Sequence, residues 1–225
     1  MSWFQTSIDY AQDRGHASIA EVLECFRHEQ PFLSQLALLI TGDPAIADQS
    51  VVDACEMTVK GHSPLRDWLL EWAKSATIAN AISKRAEAIR DCEAAYKDQV
   101  CSHFEHTSQV NAEQRAAQLS MLLSTDNLKV INELDTLSRA VLVQRLAIRS
   151  SIQDCVLRLN VGRATVLAAN CRAMTWLDEL QSQPVPNGQA KGTDEEARPF
   201  HGRDRDSGPI RGQLSMEVFR SASEP

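Results

Sequence analysis

SIQDCVLRLNVGRATVLAANCRAMTWLDEL, residues 151–180, decides how this chain folds. Ile152, Cys155, Val156 and Leu159 recur at helical spacing, and Leu159-Asn160-Val161-Gly162 interrupts the period with turn formers. Val166, Ala169, Ala173 and Leu177 then resume it, so the stretch reads as two helices joined by a tight turn. That pattern is a helix-turn-helix, and in its DNA-binding versions the second helix enters the major groove. The first outward residues of that helix would be Arg163, Ala164, Leu167 and Ala168, of which only Arg163 can hydrogen-bond to a base edge.

Working outward from this stretch, the apolar period stays helical. From Ile8 to Thr41 apolar residues return every three or four positions, with Pro31 at a place where a second helix could begin. Thr41-Gly42-Asp43-Pro44 combines a helix stop, a turn and a restart. A third run passes through Ala47, Val51, Val52 and Cys55 to Val59 and ends at Gly61-His62-Ser63-Pro64. A fourth starts near Leu65 and continues through Trp68, Leu69, Trp72, Ala73, Ile78 and Ile82 to Lys84-Arg85. Trp68 and Trp72 are four apart, share a face, and read as core packing rather than as a platform for bases. No alternation of period two persists, so the fold class is all-α.

Residues 151–180 resemble the fourth region of bacterial sigma factors of the extracytoplasmic-function type, which reads the upstream promoter element. The shared positions are Ser151, Asp154, Cys155, Val156, Leu159, Asn160, Val161, Gly162, Thr165, Val166, Arg172, Ala173 and Leu177, preceded by Val130 to Leu134, Leu137-Ser138-Arg139 and Val141-Leu142. The first half resembles the family's second region, which binds the polymerase clamp and melts the promoter, through Thr41-Gly42-Asp43-Pro44-Ala45-Ile46-Ala47-Asp48, Trp68-Leu69, Ala73 and Lys84-Arg85. The resemblance implies a transcription initiation factor whose partners are the RNA polymerase core, promoter DNA and a regulatory protein such as an anti-sigma factor. It implies DNA contacts at Arg149, Ser151, Arg158, Arg163, Thr165 and Arg172, and polymerase contacts at Asp48, Gln49 and Asp53. The chain departs from the family at Leu167 and Ala169, usually basic, and at Asn170, usually apolar. An amide there costs about 1 to 3 kcal/mol if buried without a partner. Because of these departures, a second reading stands beside the first: a sigma-derived protein-interaction regulator that has lost promoter recognition.

The implied architecture is two small helical domains, 1–90 and 126–181, joined by a helical or flexible linker, 91–125, and followed by a tail, 182–225. The tail holds five of the eight prolines and five of the nine glycines, and its composition predicts disorder. Leu214, Val218 and Phe219 near its end could form a short amphipathic segment, or the tail could be inert. The chain has 23 basic and 30 acidic residues, whereas nucleic-acid binders usually present a basic face. Residues 126–180 hold 7 basic against 6 acidic side chains, so charge alone predicts weak, salt-sensitive DNA affinity.

Six cysteines without a CxxC pair read as reduced core residues of a cytoplasmic protein. Cys92, Cys101, His103 and His106 do not match a zinc knuckle and read as scattered side chains, so no metal or cofactor is expected. No apolar stretch approaches a membrane span, and no basic, apolar leader opens the chain. There is no G-x-S-x-G, Walker loop, HExxH or GxGxxG, so the chain reads as a binding protein rather than an enzyme.

Overall fold

The computed structural model describes residues 15–61, 64–96, 112–124 and 127–182. The elements among them are helical, apart from one isolated bridge between His16 and Leu65. Helix α1 (Ile19–Thr41) opens on a capping box, in which the Ser18 hydroxyl accepts from the Glu21 N–H and the Glu21 carboxylate accepts from the Ser18 N–H. It runs unbroken through Pro31, where the sequence suggested a second start. Phe26, Leu33, Leu36 and Ile40 keep one buried stripe across the proline, and that burial outweighs one missing backbone hydrogen bond.

The turn read from Thr41-Gly42-Asp43-Pro44 forms as expected. Gly42 takes the left-handed conformation at φ 66°, and Asp43 caps α2 (Pro44–Lys60) by accepting from the N–H groups of Ala45 and Ile46. A 3-10 turn, Arg66–Trp68, precedes α3 (Leu69–Lys84), which therefore starts later than Leu65. The tryptophans are not core residues: Trp68 is 69% and Trp72 47% exposed. The buried stripe of α3 runs through Leu69, Ala73, Ile78 and Ile82, one step around the helix, and the Trp72 ring N–H donates to the Thr58 hydroxyl at 3.1 Å.

Helix α4 (Ala86–Tyr96) crosses the expected boundary at residue 90 and the stretch expected as a linker, 91–125, also holds α5 (Ala112–Leu122); Ile89, Tyr96 and Leu122 of these helices turn inward. The short α6 (Asn127–Val130) and a 3-10 turn, Ile131–Glu133, lead into α7 (Thr136–Ala147). This helix is buried nearly all round, through Leu137, Ala140, Val141, Leu142, Val143 and Leu146. Next come α8 (Ile152–Leu159) and α9 (Arg163–Ser182). One buried cluster joins Leu36, Leu39 and Ile40 of α1, Ile78 and Ile82 of α3, Ile89 of α4, the α7 side chains, and Val166, Ala173 and Leu177 of α9. Each fully buried leucine or isoleucine in it is worth about 1.5 to 3 kcal/mol relative to exposure.

Polar contacts stitch the same helices where α1 ends. Arg85 donates to the Thr41 carbonyl, and Arg139 of α7 donates to the Asn132 side chain at 2.6 Å and to the Thr136 hydroxyl at 3.2 Å. Helix α1 has no basic residue in its own last turn, so the cation facing its carbonyl end comes from Arg85. Burial, with Arg85 nearby, pulls the Arg139 guanidinium below its ordinary value.

Four cysteines, Cys25, Cys55, Cys92 and Cys155, are free thiols. Burial pushes Cys55 and Cys155 up to about 11, which suppresses the reactive thiolate at neutral pH. Cys171 is disulfide-bonded, correcting the expectation that all six are reduced. Cys101, His103, His106 and the tail beyond Ser182 lie outside the described residues. Among the described residues no helix is long and apolar enough to cross a membrane.

Candidate nucleic-acid interface

The two-helix unit forms where the sequence puts it. Ser151 caps α8 in a reciprocal box, its hydroxyl accepting from the Asp154 N–H at 3.1 Å while the Asp154 carboxylate accepts from the Ser151 N–H at 2.8 Å. The Ser151 hydroxyl also donates to that carboxylate, and these bonds hold the exposed Asp154 carboxyl below its ordinary range. Ser151 is thus committed to Asp154. At the far end Asn160 adopts the left-handed conformation at φ 53°, turning the chain so that Val161 is buried before α9 begins. Arg149, also left-handed at φ 54°, makes the bend between α7 and α8 and is exposed.

Helix α9 presents less of itself than expected. Arg163 and Ala164 are exposed at its start and Leu167 is half-buried, but Ala168, read as outward, and Thr165, expected as a DNA contact, lie within the core. The reason is the width of the buried stripe, which takes in Thr165, Val166, Ala168, Ala169 and Asn170 as well as the periodic positions. Asn170 is 1% exposed and its side-chain nitrogen has no hydrogen-bond partner, which is the unfavourable burial the sequence pointed to. On α8 the outward apolar side chain is Leu157, at 71% exposure.

The remaining cations of the unit are engaged within the chain. Arg158 donates to the Ser75 hydroxyl of α3 at 3.0 Å, and Arg172 lies 3.6 Å from the Asp135 carboxylate. Asp135 is a hub. It caps α7 by accepting from the Ser138 N–H and hydroxyl, and it accepts from the Tyr96 hydroxyl of α4. Burial pushes its carboxyl up, but the hydrogen bonds from Tyr96 and Ser138, with Arg172 behind them, outweigh that and hold it below its ordinary value. The same burial, with the Asp135 charge, drives the Tyr96 phenol up to about 12. Glu93 of α4 reaches the start of α9, where its carboxylate accepts the Gly162 N–H at 3.2 Å. Nothing in the sequence around Glu93, Ser75 or Asp135 marks them for these contacts, because each partner is more than 35 residues away or on another helix.

The residues read as polymerase contacts lie on α2 outside its buried stripe. Gln49 is exposed, and Asp48 and Asp53 are partly so. The Gln49 side chain donates to Asp53 at 2.7 Å, and Lys84, at the end of α3, lies 2.6 Å from the other Asp53 oxygen. Partial burial pushes the Asp53 carboxyl up, but Lys84 and Gln49 prevail and keep it lowered and ionised. Among the described residues no group of three or more histidine, cysteine or carboxylate side chains could hold a metal ion. The chain matches no protein-family model, no curated protein and no solved structure.

Proposed function

We propose that this chain is a sigma-factor-like transcription initiation factor of the extracytoplasmic-function kind, acting in the cytoplasm without catalysis or cofactor of its own. It binds the RNA polymerase core through Asp48, Gln49 and Asp53 of α2, and meets promoter DNA with the start of α9. The observation that carries this reading is the α8-turn-α9 unit. The Ser151 box and the left-handed Asn160 support it, and Arg163 stands exposed at the position that faces bases in such units. Arg149 is exposed beside it for a phosphate. A regulatory protein of the anti-sigma class is the further partner this reading calls for.

A sigma-derived interaction regulator without promoter recognition is the second reading. The burial of Thr165 and Ala168 and the engagement of Arg158 and Arg172 within the chain favour it. Co-purification of the tagged chain from its own cells at moderate salt separates the two. The first reading expects polymerase core subunits with the wild type and their loss from an Asp48→Ala, Asp53→Ala variant. Recovery of another regulator without polymerase would overturn it in favour of the second.

A further inference from the structure

We propose that α4 is an internal competitor for DNA, closing the helix-turn-helix by placing a carboxylate where a phosphate would sit. This rests on the DNA-binding reading above and concerns how that site is controlled. The start of a helix offers free N–H groups and the positive end of the helix dipole, and so attracts anions. In this chain the Gly162 N–H, at the start of the recognition helix, is already donated to Glu93 of α4. Independently, Arg158 of α8 is engaged by the Ser75 hydroxyl of α3. Arg172 of α9 faces Asp135, the same carboxylate that anchors the end of α4 through Tyr96. Three groups that would neutralise phosphates therefore all spend themselves on α3, α4 and the α7 cap.

The contacts differ in how readily they exchange. Glu93 to Gly162 and Arg158 to Ser75 are solvent-exposed, so phosphate oxygens can replace them at little cost. Tyr96 and Asp135 sit in a part-buried contact and hold α4 in place. A basic partner that took the Glu93 carboxylate would release the site while α4 stays packed through Ile89 and Tyr96. Without one, DNA must displace Glu93, and affinity is reduced by the fraction of molecules that are closed.

Binding of a fluorescein-labelled random-sequence duplex to the full chain, read by anisotropy at low salt, tests this. Glu93→Gln keeps the shape and removes the charge, and we expect about five-fold tighter binding, as the helix-end electrostatics suggest. Glu93→Lys should tighten it further, and adding Arg163→Ala to Glu93→Gln should abolish the gain. Glu87→Gln, an exposed carboxylate on the same helix with no hydrogen bond or ion pair to α9, controls for net charge and should change affinity by less than about two-fold. Equal tightening by Glu87→Gln and Glu93→Gln would overturn the latch. So would unchanged affinity in Glu93→Gln while Arg163→Ala weakens the wild type, a result that leaves the DNA reading standing. Failure of every form to bind, Glu93→Lys included, would overturn both.

Discussion

Two of the contacts between the first-half helices and the segment from α7 to α9 are built differently. Around the end of α1, Gly42, Arg85, Arg139 and Asn132 interlock within the shared core, with Arg139 buried and its charge disfavoured by burial. At the start of α9, Glu93 meets Gly162 and Arg158 meets Ser75 in water. Breaking the first exposes desolvated groups that have nowhere to turn, whereas breaking the second exchanges one solvated bond for another. The first contact is therefore structure. The second can be a control point, because its cost is close to the energy of a few phosphate contacts.

The sharpest way to break this contrast is Gly42→Ala. A side chain at φ 66° is strained, and its Cβ would stand 2.7 Å from both the Arg139 guanidinium and the Asn132 carboxamide oxygen. We expect a loss of about 2 to 3 kcal/mol, read from urea midpoints. Glu93→Gln, by contrast, should change stability by no more than about 0.5 kcal/mol. If the two variants cost the same, the distinction between core and control point falls.

Next in size is Tyr96→Phe, which removes the phenol from Asp135 and Ser138 and should cost about 1 to 2 kcal/mol. It also alters the acid side of the stability curve. Asp135 is held below its usual 3.8, so its contribution is present above that value and lost as pH falls through the lowered one. Removing the phenol raises the folded-state value toward the unfolded one, and the variant should lose less stability on acidification than the wild type. A steeper acid limb in Tyr96→Phe would show that Asp135 is not the hub described.

Smaller, and of opposite sign, is Asn170→Leu. It replaces a buried amide whose nitrogen lacks a partner by an apolar side chain with the same branching and number of heavy atoms, and we expect about 1 kcal/mol of stabilisation and a higher Tm. Destabilisation would mean that the asparagine is satisfied in solution. Smallest of all is Arg163→Ala, which should leave stability within about 0.5 kcal/mol while weakening DNA binding.

What could be read in advance follows the range of each interaction. The Asn160 turn and the Thr41-Gly42-Asp43-Pro44 junction are local, depend on neighbours within four residues, and formed as their residue types require. The all-helical class was legible for the same reason, since period is a local property. Pro31 misled because packing along α1 overrode a local breaker, and Trp68 and Trp72 misled because an apolar pair on one face does not say which face turns inward. Of the candidate site, Arg149 and Arg163 are exposed as the pattern required. The burial of Thr165, the intrachain contacts of Arg158 and Arg172, and the approach of Glu93 were hidden, because each is decided by a helix distant in sequence.

The most direct test of the proposed function is to cross-link the tagged chain to chromosomal DNA in its own cells, sequence the recovered fragments, and compare wild type with Arg163→Ala. A promoter-directing factor should give discrete peaks just upstream of transcription starts that coincide with polymerase and fade in the variant. Recovery of no promoter DNA, or of peaks that Arg163→Ala leaves unchanged, would contradict the account.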